Sequence, residues 1–123
     1  MASKTLDEQI NAHRAALARL LRQRIASNLR HNYPDLVSLW VFDGDRPSVV
    51  RASALNGRIL WDSERRARYG GPDFDLYVFG DDTCWSAIDD LEALAAVLPE
   101  GAPRTKDGYL IVKLPEAKER NDA

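Results

Sequence analysis

The sequence predicts a two-layer α+β domain in which two helices pack on a mostly antiparallel sheet of about five strands, in the order α-β-β-β-β-α-β. Three observations predict this class: a long helical repeat near the N-terminus, short β-branched runs separated by turn residues, and a second capped helix before the last strand. We expect residues 1–114 to form one domain, because this length suits a single hydrophobic core. Residues 115–123 are polar, and we expect them to form a flexible tail.

The first helix is expected over residues 5–31, with a long apolar stripe. Thr5 and Glu8 have the spacing of a capping box, and Pro34 follows the end of the repeat. At 100° per residue the stripe consists of Leu6, Ile10, Leu17, Leu20 and Leu21. Ile25 and Leu29 lie off the stripe, so we expect the helix to curve or to use them at a second contact surface, such as the seam of a homodimer.

Three strands are expected after the helix, at residues 36–42, 48–55 and 58–62. The first is a β-branched and aromatic run with little alternation, which is typical of a buried strand. Asn56-Gly57 separates the second strand from the third. This dipeptide predicts a type I′ hairpin turn, in which both central residues have positive φ.

A fourth strand is expected at residues 74–79 and a fifth at residues 109–114, with the second helix between them. Ser86 and Asp89 have capping-box spacing at the start of this helix, and Pro99 follows its end. A strand–helix–strand order is compatible with a right-handed parallel crossover between the fourth and fifth strands.

Charge is distributed unevenly along a chain whose net charge is only −2. Residues 1–34 contain six Lys or Arg and two Asp or Glu, a balance of +4. Residues 70–100 contain eight carboxylates and no Lys or Arg, a balance of −8. The small net charge argues against bulk affinity for nucleic acid or membranes, whereas the acidic stretch is a candidate binding surface.

The leading functional expectation is a small protein-interaction domain that is not an enzyme. Its acidic strand–turn–helix, residues 70–101, is expected to bind a basic protein in the manner of an inhibitor, antitoxin or immunity protein. In this expectation Trp85 is a half-exposed anchor and the carboxylates around it steer the partner. The expected partner-binding residues are Asp81, Asp82, Trp85, Asp89, Asp90 and Glu92. Alternatively, these carboxylates are solvated or balance the basic first helix.

A second expectation is a divalent-metal enzyme that transfers nucleotidyl or phosphoryl groups. Asp73 and Asp75 stand two residues apart on the expected fourth strand, so both carboxylates would project from one side and could bind Mg²⁺. With Gly70-Gly71 before them, they resemble the nucleotidyltransferase pattern of two small residues followed by an acidic-x-acidic strand. In that family a helix's worth of residues separates the two parts, whereas here only Pro72 does.

A third expectation is nucleic-acid binding through the basic first helix. Five arginines on one helix could contact phosphates, although they are spread around it. They are Arg14, Arg19, Arg22, Arg24 and Arg30. Because no second helix of a helix-turn-helix motif follows, nucleic acid is disfavoured as a partner. Alternatively, the first helix is solvated and pairs with the acidic stretch.

The remaining sequence features exclude several classes. The chain contains no P-loop, dinucleotide-binding fingerprint, zinc-ligand spacing or nucleophile elbow, so no cofactor is expected. A single cysteine, Cys84, excludes an intrachain disulfide. No apolar run is long enough for a membrane span and no leader pattern is evident, so the cytoplasm is the expected compartment.

Overall fold

The computed structural model describes residues 5–80 and 82–116, and it confirms the α+β class. The order is α-β-β-β-α-β-β-α-β. The elements are α1 (Leu6–Leu29), β1 (Leu36–Phe42), β2 (Ser48–Ala54), β3 (Ile59–Asp62), α2 (Ser63–Tyr69), β4 (Tyr77–Phe79), β5 (Cys84–Ser86), α3 (Ala87–Val97) and β6 (Leu110–Lys113). In the described part of the chain, the strands form a four-stranded sheet and a separate two-stranded sheet, not one sheet of five.

The four-stranded sheet has the order β3-β2-β1-β6, and each neighbouring pair is antiparallel. Its tight turn joins β2 to β3 at Asn56 (φ 64°) and Gly57 (φ 77°). The Arg58 amide donates to the Leu55 carbonyl across this turn at 3.5 Å, and the Ala54 amide donates to the Arg58 carbonyl at 2.7 Å. The predicted type I′ hairpin is therefore confirmed, because both central residues adopt the positive φ that this turn needs.

The hydrophobic core lies between one face of this sheet and the helices α1 and α3. Across β1 and its neighbours, Leu39 pairs with Ala52 on one side and with Val112 on the other, and all three are fully buried. The helices contribute further side chains that are 2% exposed or less. These are Ile25, Ala26 and Leu29 from α1 and Ala87, Leu91 and Leu94 from α3.

The predicted use of the first helix is wrong in one respect. Its capping box is confirmed, since the Glu8 amide donates to Thr5 Oγ1 at 3.1 Å and the Thr5 amide donates to Glu8 Oε1 at 2.9 Å. However, Ile25 and Leu29 are 0% exposed and belong to the core, not to a dimer seam. Four of the five residues of the predicted stripe are instead exposed: Leu6 (75%), Ile10 (50%), Leu17 (44%) and Leu20 (58%).

The predicted fourth strand is shorter than expected and belongs to the smaller sheet. Residues 74–76 do not form a strand. In and just before this segment, backbone groups form hydrogen bonds with side chains instead of with a neighbouring strand. The Asp75 amide donates to Tyr33 Oη at 2.8 Å, and the Pro72 carbonyl accepts from Trp61 Nε1 at 2.9 Å. The buried Phe74 ring stacks on Tyr33 with centroids 4.5 Å apart. A parallel crossover is excluded, since β4 pairs with β5 while β6 runs antiparallel to β1.

The start of the predicted tail is attached to the fold. Arg30 Nη2 donates to the Pro115 carbonyl at 2.7 Å, and Arg30 Nε donates to the Leu36 carbonyl at 3.0 Å. The rest of the predicted tail, residues 117–123, lies outside the described residues. Among the described helices, none combines the length and the apolar character that crossing a bilayer requires.

Candidate interaction surface

The acidic strand–turn–helix folds as a hairpin followed directly by a helix. Tyr77 pairs with Ser86, Val78 with Trp85 and Phe79 with Cys84, and the Gly80 amide closes the turn on the Thr83 carbonyl at 2.8 Å. Ser86 then caps α3, its Oγ accepting from the Ile88 amide at 3.2 Å. The hairpin turn therefore lies at one end of the short strand pair, and the first turn of α3 lies at the other end.

Two aromatic side chains project from this hairpin into solvent. Residues 77 and 79 lie on the same side of β4 because side chains alternate along a strand. Tyr77 is 42% exposed and Phe79 is 76% exposed, and their ring centroids are 6.5 Å apart. Large exposed aromatic side chains are enriched at the centres of protein interfaces, since they supply apolar area at low entropic cost.

A groove lies between this hairpin and the end of α1. The groove is open to solvent and has a volume of about 620 Å³, with Asn28, His31 and Asn32 on the helix side and residues from the hairpin on the other. Asn32 Nδ2 donates to the Tyr77 carbonyl at 3.1 Å, which ties the two sides together. The groove therefore combines an aromatic wall with polar side chains that can form hydrogen bonds.

Asp90 is a structural residue, which corrects its predicted place among the partner-binding residues. It is 4% exposed, and its carboxylate accepts from Arg24 Nε at 2.8 Å and from Arg24 Nη2 at 2.7 Å. Trp85 Nε1 donates to the same carboxylate at 3.0 Å. The hydrogen bonds and charge of Asp90 raise the pKa of Arg24 above its ordinary value. This network fixes α3 to α1 and holds Trp85 half-buried on the hairpin.

Three other predicted carboxylates are exposed and remain available for a partner. Asp82 lies in the hairpin turn, Asp89 lies in the first turn of α3 and Glu92 lies one helical turn later. Within residues 5–80 and 82–116, no Lys, Arg or His nitrogen comes within 4.0 Å of these carboxylates. Asp81 lies outside the described residues. We call Tyr77, Phe79, Asp82, Asp89 and Glu92 the acidic aromatic surface.

The predicted metal ligands Asp73 and Asp75 are exposed and have other partners. Asp73 Oδ1 lies 2.8 Å from Arg66 Nε, and Asp75 Oδ1 accepts from the Tyr77 amide at 3.2 Å. Since neither residue lies in a strand, the expected projection from one side of a strand does not apply. Among the described residues, no group of three His, Cys, Asp or Glu side chains could hold a metal ion.

The arginines of α1 are divided between structural and exposed positions. Arg24 binds Asp90, and Arg30 binds two backbone carbonyls. Arg14 and Arg19 are exposed and Arg22 is half-buried. The five arginines therefore do not form one continuous basic face in the described fold.

The aromatic part of the surface was not predicted from the sequence. Residues 74–79 contain five apolar side chains among six, which is typical of a buried strand. The signal that distinguishes the hairpin is the four-residue turn 80–83 followed by Cys84-Trp85-Ser86, a run too short to satisfy the usual strand pattern.

Comparison with known proteins gives no assignment for this fold or surface. A scan against protein-family models, a search of curated proteins and a search of solved structures each gave no significant match to the chain.

Proposed function

We propose that the protein is a small, non-enzymatic interaction domain that binds a basic protein through the acidic aromatic surface. The observation that carries the proposal is the combination, on one hairpin and the helix that follows it, of two exposed aromatic rings with three carboxylates that lack a nearby cation in the described fold. Aromatic anchors supply contact area, while rim carboxylates increase the rate of association with a positively charged surface.

The proposed partner class follows from the charge. A protein that binds or cleaves nucleic acid presents a basic cleft, because it must neutralise phosphates. An acidic protein that covers such a cleft acts as an inhibitor, antitoxin or immunity protein. We assign this role as the concrete form of the proposal, with the cytoplasm as the compartment. The groove beside the hairpin would receive an extended segment or loop of the partner.

Asp90 and Trp85 support the surface in this proposal instead of forming its centre. Because Asp90 is buried and accepts three hydrogen bonds, it offers little exposed area to a partner. Its role is to hold Trp85 and the start of α3, so that the position of Asp89 relative to the β4–β5 hairpin is fixed.

The test is a pull-down from the lysate of the source cells at low salt, followed by identification of bound proteins and measurement of binding rates. The wild-type chain should retain one stoichiometric basic protein that high salt releases. The double variant Asp82→Lys/Asp89→Lys should slow association about tenfold or more at low salt and less at high salt. Phe79→Ala should instead accelerate dissociation, because it removes contact area.

The matched control is Asp45→Lys/Asp107→Lys, which changes the net charge equally at exposed positions of two other loops. This control should associate nearly as fast as the wild type. Equal effects of the two double variants would show that net charge alone governs binding and would refute the surface. A wild-type chain that retains no basic protein would refute the proposed function.

A further inference from the structure

The first half of α1 carries an apolar seam that the described fold leaves uncovered. The seam residues recur at spacings of four and three along the helix. They are Leu6, Ile10, His13, Leu17 and Leu20. All of them are exposed, and the first buried residue of α1 is Ala18. Residues 6–17 therefore form about 18 Å of helix, at 1.5 Å per residue, without a buried side chain.

The seam is a different face of α1 from the one that enters the core. The core face is formed by Ala18, Leu21, Ile25 and Leu29, and it lies about 100° around the helix from the seam. Packing of α1 against the sheet and α3 consequently cannot cover the seam. The spacing of four and three is that of a heptad repeat, which is typical of a helix that packs along another helix.

We propose that the seam binds the same seam of a second copy of the chain, with the two helices antiparallel. One flank of the seam is complementary in charge to itself when two copies pack in this way. Asp7 and Arg14 lie seven residues apart on that flank, and both are exposed. When Leu6 of each copy packs on Leu17 of the other, each Asp7 faces Arg14 of the other copy, so one contact forms twice about a two-fold axis.

A parallel pair would be less favourable. In a parallel pair the flank with Asp7 and Arg14 faces the opposite flank of the other helix, which carries Gln9 and Ala16, so neither charge meets an opposite charge across the seam. A parallel pair would also align the two helix dipoles, whereas an antiparallel pair opposes them. Self-complementarity therefore selects a second copy as the occupant and fixes the relative direction of the helices.

His13 has a specific role in this arrangement. In the register that pairs Leu6 with Leu17, His13 packs opposite Ile10 of the second copy, in the middle of the seam. A polar side chain at a seam position weakens helix association and restricts the register. Replacing it with an apolar side chain of similar size should strengthen the dimer, a result that general destabilisation cannot produce.

The experiment is sedimentation equilibrium of the full chain from micromolar to several hundred micromolar concentration. We expect a reversible rise from the monomer mass of 13.8 kDa to twice that mass. Leu17→Glu should abolish the rise, His13→Leu should shift it to lower concentration, and the control Ala15→Glu, on the opposite side of α1, should leave it unchanged. Circular dichroism should show that all three variants remain folded, because none changes a core residue.

Charge exchange tests the direction of the helices. Asp7→Arg or Arg14→Asp alone should weaken dimerisation about tenfold, because each places like charges opposite one another. The double variant Asp7→Arg/Arg14→Asp should restore it, since opposite charges again face each other. A monomer mass at every concentration, equal effects of Leu17→Glu and Ala15→Glu, or no recovery in the double variant would each overturn the proposal. These outcomes are independent of partner binding by the acidic aromatic surface.

Discussion

The contrast between two adjacent carboxylates, Asp89 and Asp90, is the sharpest test of how the acidic stretch is used. Asp89 is exposed, whereas Asp90 is 4% exposed and accepts hydrogen bonds from Arg24 and Trp85. The perturbation is the pair of single variants Asp89→Ala and Asp90→Ala. The same chemical change is thereby made at two positions of one helical turn that differ mainly in burial and partners.

The expected loss for Asp90→Ala follows from the three hydrogen bonds. Hydrogen bonds to a charged group contribute roughly 1.5–3 kcal/mol each, and breaking a fully buried ion pair costs about 3–5 kcal/mol. Here the Arg24 side chain is 59% exposed, so water can replace the carboxylate around the guanidinium, and Trp85 Nε1 bears the main unsatisfied loss. We expect a decrease in the free energy of unfolding of about 2 kcal/mol.

Asp89→Ala should change that free energy by less than about 0.5 kcal/mol. The gain in helix propensity from alanine and the loss of a carboxylate near the helix N-terminus are each below about 1 kcal/mol and oppose one another. These two terms are nearly the same for Asp90→Ala, so the difference between the variants isolates the network.

The assay is urea unfolding followed by circular dichroism, with tryptophan fluorescence as a second probe that includes Trp85. Equal m-values for the two variants would show that their free energies can be compared. Arg24→Ala combined with Asp90→Ala in a double-mutant cycle would give the coupling between the pair. Equal stabilities of Asp89→Ala and Asp90→Ala would refute the structural role of Asp90.

Two further predictions concern the core and the acid stability. Phe74→Ala should lower the free energy of unfolding by about 3–5 kcal/mol, because it leaves a cavity at a buried site. Phe79→Ala, at an exposed site, should change that free energy by less than about 0.5 kcal/mol. Urea unfolding at pH 7 measures both variants. Hydrogen bonds from Arg104 hold the pKa of Asp43 below its usual 3.8. The carboxylate then stabilises the fold above about pH 4 and loses this contribution as the pH falls, so the deficit of Asp43→Asn should shrink below pH 4. A constant deficit from pH 6 to pH 3 would contradict this assignment.

Turn residues and capping residues were predictable because their geometry is local. The Asn56-Gly57 turn needs only two residues that tolerate positive φ, and the Thr5–Glu8 box needs only side chains at the right spacing. Neither depends on what packs against the element. The boundaries of β1, and the class of the fold, follow from the same local signals.

Burial of the first helix was not predictable, for a physical reason. A periodic apolar stripe reports that a helix face avoids water, but it does not report what covers that face. Leu6 and Ile10 belong to the predicted apolar stripe and are exposed. Ile25 and Leu29 lie off that stripe and are buried in the core. Two overlapping apolar stripes on one helix are typical of a helix with two separate contact faces. The sequence pattern then shows the two stripes superimposed, so neither face can be identified from it.

The role of Asp90 was also beyond the sequence, because its partner Arg24 is 66 residues distant along the chain. A carboxylate among other carboxylates has the pattern of a solvated surface. Only the packing of α3 on α1 shows that one member is buried and paired.

The charge count alone could not separate the buried, paired carboxylate of the acidic stretch from its exposed ones. If the acidic stretch served only to balance the basic first helix, its carboxylates should pair mainly with α1, yet in the described fold Asp90 is the one that contacts an arginine of that helix. Asp73 pairs with Arg66, which lies on α2. Asp82, Asp89 and Glu92 are exposed on the same hairpin and following helix that carry two exposed aromatic rings. Like charges without cations near them, and large exposed apolar side chains, do not stabilise a fold, and the proposed basic partner would account for both.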